Sequence, residues 1–323
     1  MGRFLVFLVF YNDAVVKDFK NASLRILLLT CRFGGGMRGR PGAVGAWREG
    51  ESMINIVASD MDGTLLDENS NVPPETFDLV RRLDKAGIRF VVSSGRRYDT
   101  LQEMFEPVVG YMDFVASNGA QVYVRGKLVD LEIFSHASVR RLYDVVRMFD
   151  GLHLALFDRY ITYLMDDEAC FERELDKNLP HPVRSIDIPS AGTTIVKASI
   201  YCDDALMDMA YVLERELGDE FTFAPSGHKW IDVMRRGVSK ATGMNQVLRA
   251  YGLSADSLMA FGDSMNDYEI LRMAGTSVAM GNAREAIKEI ATKVIGTNAE
   301  QSVQSELKAL LAKRSGSQQE RCA

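Results

Sequence analysis

The chain has 323 residues, which is enough for one large hydrophobic core and a second domain. Its hydrophobic content of 47% and charged content of 25% are ordinary for a globular protein. The formal net charge of −6 gives no reason to expect a nucleic acid as partner, and no apolar run approaches the length of a membrane-spanning helix.

Residues 1–52 differ in composition from the rest of the chain. The first fifty hold eight Lys or Arg against three Asp or Glu. The apolar stretch 4–10 is followed by no small-residue cleavage site, so we expect no export. We interpret 1–52 as an extension that is disordered or precedes the true start, with Met53 as the candidate first residue. Four cysteines without a CxxC pair favour reduced thiols in the cytoplasm.

A strand–helix–strand pattern opens the main part of the chain. The apolar run 54–58 is typical of a buried strand, and the helix after it begins near Pro74. Further strands are predicted at 88–92 and 113–116, with a helix over 98–105 between them. This alternation predicts a parallel sheet with right-handed crossovers.

The pattern changes after a hairpin predicted over 121–131. Short strands and helices then mix in a way that is typical of an α+β insertion. From Ser239 the first pattern returns, with strands predicted at 258–261 and 277–279.

These shifts divide the chain into four parts. We expect the extension at 1–52, an α/β core made of 53–131 and 237–312, an α+β cap at 132–236, and a frayed polar tail at 313–323.

Polar residues follow the predicted strands of the core. Since ligands bind at the carboxyl ends of parallel strands, we expect these residues to meet at one edge of the sheet. They are Asp60, Asp62, Ser94 with Gly95, Asp263, Asn266 and Asp267 at strand ends, joined by Lys240 from the segment where the chain re-enters the core.

This set suits the hydrolysis of a phosphate monoester. A carboxylate attacks phosphorus and forms an aspartyl-phosphate, and a second carboxylate moves protons. Hard oxygen ligands such as Asp60 and Asp263 suit Mg²⁺, which lets an anionic nucleophile approach an anionic phosphate. Ser94, backbone N–H groups and Lys240 supply donors for the phosphate oxygens.

The chain resembles the Cof-type phosphatases of the haloacid dehalogenase (HAD) superfamily over about 53–312. The resemblance implies a HAD-like Rossmannoid core with a parallel sheet and an inserted α+β cap that closes over the substrate and sets specificity. Six segments carry it, in this order: Asp60-Met61-Asp62-Gly63-Thr64-Leu65-Leu66, Ser94-Gly95-Arg96, Ser117-Asn118-Gly119-Ala120, Gly237-Val238-Ser239-Lys240, Gly262-Asp263-Ser264-Met265-Asn266-Asp267 and Gly281-Asn282-Ala283.

The resemblance also implies roles for the aspartates. Asp60 is the expected nucleophile and a Mg²⁺ ligand. Asp62 is the expected general acid and base, with its backbone carbonyl on the metal. Asp263 is expected to bind Mg²⁺, and Asp267 to support it.

Further roles concern the phosphate and the substrate. Phosphate binding is expected of Ser94, Gly95, Lys240 and Asn266, although the family more often has Thr at the position of Ser94. Arg96 and Asn118 are candidate substrate contacts.

The same residues bear on three other functions. An EF-hand calcium loop is disfavoured because position twelve of a loop starting at Asp60 or Asp62 is Asn71 or Pro73, not Glu. A phosphomutase would use the same aspartates, and a non-catalytic binding protein would normally have lost them. The expected partner is a small phosphorylated metabolite, a sugar phosphate or a phosphorylated cofactor, and no pattern assigns an oligomeric state.

Overall fold

The computed structural model describes residues 53–165, 182–184, 187–190, 192–202, 206–226 and 229–322. The expected extension at 1–52 therefore lies outside the described residues. The strands are β1 (Ile56–Ser59), β2 (Arg89–Ser93), β3 (Met112–Ala116), β4 (Gln121–Val124), β5 (Lys127–Leu131), β6 (Leu152–Phe157), β7 (Thr162–Leu164), β8 (Pro182–Arg184), β9 (Lys197–Cys202), β10 (Phe221–Ser226), β11 (Trp230–Arg235), β12 (Leu258–Gly262), β13 (Thr276–Ala279) and β14 (Lys293–Val294).

The helices are numbered separately along the chain. They are α1 (Glu75–Lys85), α2 (Tyr98–Met104), α3 (His136–Val146), α4 (Leu206–Leu217), α5 (Lys240–Tyr251), α6 (Tyr268–Met273), α7 (Glu285–Lys288) and α8 (Ser302–Cys322).

The larger sheet has the strand order β14-β13-β12-β1-β2-β3-β4-β5. Its first six strands in this order are parallel, and the β3–β4 and β4–β5 pairs are antiparallel. All four residues of β1 are buried, as expected for a central strand covered on both faces. It pairs with β2 on one side and with β12, about two hundred residues later in the chain, on the other. The segments that follow these three strands therefore lie side by side at one edge of the sheet.

The smaller sheet has the order β10-β11-β9-β6-β7-β8 and is antiparallel except for the β7–β8 pair. Apolar residues of α3 and α4 pack on one face of it and form a second core. The predicted fold class, an α/β core with a parallel sheet and an additional α+β cap, is confirmed by this architecture. We propose 132 and 236 as the limits of the cap, because the second sheet and its helices lie between them.

The C-terminus differs from the sequence expectation. We expected a frayed polar tail from residue 313, and the structure has the backbone in helix α8 as far as Cys322. Lys, Arg, Gln and Glu are good helix formers and continue a helix without an apolar face. The short strands β8 and β14 were not predicted either, because two or three residues are too few to show a periodic pattern.

No helix in the described part of the chain is long and apolar enough to cross a membrane.

Candidate active site

Three aspartates meet at the carboxyl ends of β1 and β12. Asp60 follows β1, and Asp263 follows β12, the adjacent parallel strand in which Phe261 pairs with Ser59. Asp267 closes a short 3-10 turn after Asp263. Each aspartate offers one ligand atom, and these atoms lie within 4.8 Å of one another. This cluster, Asp60, Asp263 and Asp267, can hold a metal ion.

Lys240 is the counter-charge of the cluster. It is the first residue of α5, where the Ser239 side chain and Thr242 form a capping box that fixes the helix start. The Lys240 side chain is fully buried, and its Nζ donates to Asp60 Oδ1 at 2.6 Å and to Asp267 Oδ1 at 2.7 Å. One ammonium thus bridges two of the three carboxylates.

Burial and mutual repulsion set the ionisation of these groups. Burial, followed by the charge of Asp267, raises the pKa of Asp60 well above its usual range, although Lys240 opposes that shift. Burial and Asp267 also raise the pKa of Asp263. Burial alone would lower the pKa of Lys240, but Asp267 and Asp60 outweigh it and raise that pKa. A cluster with this excess of negative charge favours a bound cation.

Asp267 organises the loop that carries Asp263. Its Oδ1 accepts from Lys240, while its Oδ2 accepts from the backbone N–H groups of Asp263 and Ser264 at 3.1 Å each. Both oxygens of this buried carboxylate are therefore engaged within the protein. Asp267 holds the loop in place, and Asp263 is left with its half-buried carboxylate beside Asp60.

Residues of the turn after Asp60, together with Ser264, also hold Asp263 in place. Thr64 Oγ1 donates to Asp263 Oδ1 at 3.0 Å, and Ser264 Oγ lies 3.1 Å from Asp263 Oδ2. Gly63 has a positive φ of 75°, and a Cβ built there would lie 2.7 Å from Asp263 Oδ2. The turn of Asp60-Met61-Asp62-Gly63 thus requires glycine for both its conformation and the close approach of Asp263.

We expect Gly63→Ala to weaken divalent-metal binding by roughly tenfold or more, because the added methyl group displaces Asp263. The left-handed backbone adds a cost of about 1 kcal/mol. Isothermal titration with Mg²⁺ measures the first effect. Gly126→Ala is the matched control, since Gly126 has a φ of 72° and nothing within 4 Å of its Cβ position. Equal metal affinity in the two variants would contradict this reading of Gly63.

Asp62 lies apart from the carboxylate cluster. Its side chain is 56% exposed and forms a two-pronged ion pair with Arg96, at 3.0 Å to Nε and 2.6 Å to the terminal nitrogen. The sequence did not predict this pair. The expected substrate contact Arg96 is thus placed against the expected acid, and both remain accessible.

The Ser94-Gly95-Arg96 segment forms a turn after β2. Ser94 is 2% exposed, and its Oγ accepts from the backbone N–H of Arg96 at 3.1 Å. Its backbone N–H donates to the Val115 carbonyl at the end of β3. Oγ accepts from Arg96 in this contact, so the hydroxyl hydrogen of Ser94 can still be donated to another acceptor.

Asn118 and Asn266 connect the core to the smaller sheet. Asn266 Nδ2 donates to Asn118 Oδ1 at 3.1 Å, and Asn118 Nδ2 donates to Asp232 Oδ2 at 3.2 Å. The Oδ1 atom of Asn266 is buried and has no partner among the described residues. An accepting oxygen there is suited to a donor that a substrate or its water supplies.

Sequence reasoning missed three residues of this region: Thr64, Lys197 and Asp232. Thr64 lies four residues after Asp60 in the same loop, so its hydroxyl group could have been recognised as a possible hydrogen-bond donor to the site. Lys197 and Asp232 are buried polar residues within strands β9 and β11. The alternation of polar and apolar residues in these strands could indicate that they share a face, but not that they reach the site.

A sequence model described as haloacid dehalogenase-like hydrolase matches residues 57–307. The chain belongs to this family, as its sequence resemblance predicted.

Curated relatives share this family and most of their length with the chain. A 5-amino-6-(5-phospho-D-ribitylamino)uracil phosphatase of Escherichia coli, YbjI, is 28% identical over 77% of this chain and 93% of its own length. A phosphatase of Bacillus subtilis with the same described activity, YitU, is 27% identical over 80% and 98%. The pyridoxal phosphate phosphatase YbhA of Escherichia coli is 27% identical over 77% and 95%. The predicted enzyme class, phosphoric monoester hydrolase, is confirmed by these relatives.

Solved structures share the fold. SMU.1108c from Streptococcus mutans superposes with a TM-score of 0.74 at 24% identity and covers 80% of this chain and 99% of its own. BT1666 from Bacteroides thetaiotaomicron, described among the phosphatases of the same superfamily, has a TM-score of 0.71 at 25% identity and covers 83% and 99%.

Proposed function

We propose that the protein is a Mg²⁺-dependent phosphatase that hydrolyses a phosphate monoester of a small metabolite through an aspartyl-phosphate on Asp60. One observation carries the proposal. Asp60 is buried at the carboxyl end of β1, bridged by Lys240 and flanked by Asp263 and Asp267. This arrangement combines a carboxylate nucleophile, a cation for the phosphate and oxygen ligands for a metal.

The donor set fits Mg²⁺, because Asp60, Asp263 and Asp267 offer only hard oxygen atoms within one cluster. Asp60 and Asp263 would hold the ion with the backbone carbonyl of Asp62, and Asp267 would support Asp263. When bound, the ion reduces the negative charge shared by the nucleophile and the phosphate.

The protein's own residues would divide the chemistry between two steps. In the first, Asp60 attacks phosphorus as the bond to the leaving oxygen breaks, and Asp62 donates a proton to that oxygen. In the second, Asp62 takes a proton from a water molecule that attacks the aspartyl-phosphate, and free phosphate leaves. Asp62 is suited to both, since its half-exposed carboxylate can be reached by the leaving group and by water.

Phosphate binding would fall to Lys240 and the turn after β2. The Lys240 ammonium already lies against Asp60, where an attacked phosphate must also lie. Ser94 can donate its hydroxyl hydrogen, and the backbone N–H of Gly95 would add a donor, since the N–H groups of Ser94 and Arg96 are already engaged. Asn266 would add a further phosphate donor through its Nδ2 group, which has a second hydrogen beside the one donated to Asn118.

The substrate class proposed is a phosphorylated cofactor, a cofactor precursor or a sugar phosphate. Relatives named for 5-amino-6-(5-phospho-D-ribitylamino)uracil and for pyridoxal phosphate support a small metabolite. The cap supports it too, because Asp232 and Lys197 bring polar groups from the second sheet to the phosphate-binding turn. A cytoplasmic location is proposed with it, because the four cysteines of the sequence form no CxxC pair and are few for a secreted, disulfide-bonded protein. Cell fractionation that finds the protein in the medium would contradict this.

We expect the full chain with Mg²⁺ to release phosphate from at least one member of a metabolite panel. Chelation with EDTA should lower the rate at least 100-fold, because a bound ion supplies several kcal/mol of charge stabilisation, and added Mg²⁺ should restore it. Malachite-green detection of phosphate measures both. The control is the same EDTA with excess Mg²⁺ already present. Inactivity on the whole panel would count against a phosphatase, and isomerised sugar phosphate without free phosphate would identify a phosphomutase.

A further inference from the structure

Two buried charges of the smaller sheet reach the turn that carries Ser94. Lys197 begins β9 and Asp232 lies in the neighbouring strand β11. Lys197 Nζ lies 2.7 Å from Asp232 Oδ2, and the two side chains are 10% and 11% exposed. An ion pair this buried gives little net stability unless further hydrogen bonds satisfy its remaining atoms.

Most of those further bonds cross from the cap to the core. Lys197 Nζ donates to the Gly95 carbonyl at 3.2 Å, and Asp232 Oδ2 accepts from Asn118 Nδ2 at 3.2 Å. Within the cap, Ser199 Oγ donates to Asp232 Oδ1 at 2.8 Å. The pair is therefore directed at the core residues next to Ser94.

The Gly95 carbonyl belongs to the same peptide unit as the Arg96 N–H. That N–H donates to Ser94 Oγ at 3.1 Å. A peptide unit is planar and rigid, so a cation on its carbonyl fixes the direction of its N–H. It also polarises the unit, because hydrogen bonds in a chain strengthen one another. Lys197 thus acts on Ser94 without touching it.

Gly95 permits this close approach. A Cβ at Gly95 would lie 3.2 Å from Asn118 Oδ1 and 3.4 Å from Asp232 Oδ2. The cap carboxylate is therefore packed directly against the turn.

We propose that Lys197 is a positioning residue of the phosphate site. It orients the Gly95–Arg96 peptide, and that peptide sets the Ser94 hydroxyl to donate to the phosphate. Asp232 holds Lys197 and Asn118 in place for this task. The inference rests on the proposed function in one respect, the assignment of Ser94 to phosphate binding.

A double-mutant cycle on phosphate affinity tests the proposal. The probe is inorganic phosphate, titrated into the full chain with Mg²⁺ by calorimetry. Lys197→Met and Ser94→Ala should each weaken binding about tenfold, the effect of one charge-assisted hydrogen bond. The double variant should also lose about tenfold rather than 100-fold, because Lys197 acts through Ser94. Lys197→Arg should restore most of the affinity, since a guanidinium can donate to the Gly95 carbonyl.

Arg141→Met is the matched control. It removes a cap ion pair whose contacts, with Asp219, Glu220 and the Glu216 carbonyl, all lie within the cap. Its phosphate affinity should equal that of the wild type.

Additive losses in the cycle, or an unchanged Lys197→Met, would overturn the proposal. If Lys197→Met fails to fold, Asp232→Asn takes its place in the cycle with Ser94→Ala, and the same coupling is required. The two proposals fail in different ways. Coupled losses in a protein that hydrolyses no ester would overturn the phosphatase and support Lys197 as a positioning residue. Hydrolysis with additive losses would overturn the role of Lys197 alone.

Discussion

Asp60→Asn is expected to abolish phosphate release, with a loss of about 10⁴-fold or more and a retained fold. The amide cannot attack phosphorus, so no aspartyl-phosphate forms. Turnover of the best substrate in the panel measures the loss. Rapid acid quenching followed by mass spectrometry should find the phosphorylated protein in the wild type and not in the variant.

The stability of Asp60→Asn shows whether its loss of activity comes from the missing nucleophile or from misfolding. Burial raises the pKa of Asp60, so the ionised carboxylate costs stability at pH values above its unfolded pKa, and neutral pH lies in that range. Asparagine removes this cost and can still accept from Lys240. The melting temperature in EDTA should therefore equal or exceed that of the wild type.

The matched control is Asp78→Asn, the same change in an exposed residue. Asp78 lies 3.7 Å from Arg82 on α1, and such surface pairs contribute little. Its turnover and melting temperature should be those of the wild type. An Asp60→Asn protein that keeps more than about 1% of the activity would rule out Asp60 as nucleophile, because losing an essential nucleophile costs far more.

The sequence predicted the centre of the site because its geometry follows from strand order. Asp60 and Asp263 each come directly after an apolar run, and parallel strands with right-handed crossovers bring such ends together. The parallel α/β core followed from the same alternation, whereas the HAD-like fold followed from the resemblance of the six segments. The proposed roles of these residues remain to be tested by the variants above.

Other features depended on contacts that no local pattern encodes. An arginine side chain is long, so nothing in Ser94-Gly95-Arg96 indicates that Arg96 pairs with Asp62. Lys197 and Asp232 contact the core across more than one hundred residues of chain. Their identity as partners of Gly95 and Asn118 depends on how the cap lies on the core, which the alternation of a strand does not specify.

Lys240→Met is expected to destabilise the protein in EDTA and to lower its turnover. Asp60 and Asp267 would lose their buried counter-charge, which costs about 3 kcal/mol when one partner of a buried pair is removed. The pKa of Lys240 is raised above its unfolded value, so the ammonium stabilises the fold at all pH values below about 10, the neutral range included. Urea unfolding in EDTA at neutral pH measures the difference.

Mg²⁺ should partly compensate for the missing ammonium. Without Lys240 the cluster of Asp60, Asp263 and Asp267 has three carboxylates and no cation, so a divalent ion gains more from binding there. The increase in melting temperature on adding Mg²⁺ should therefore be larger in Lys240→Met than in the wild type.

Turnover should nevertheless stay roughly 100-fold or more below the wild-type value, because the ion does not replace a donor to the phosphate oxygens. Lys308→Met is the control, since Lys308 forms an exposed pair with Glu75 at 2.7 Å. An equal Mg²⁺ response in Lys240→Met and the wild type would mean that Lys240 and the metal do not share the charge of this cluster. Rescue of stability without rescue of turnover would instead separate the two tasks of Lys240: it neutralises buried carboxylates before substrate arrives, and it binds the phosphate during turnover.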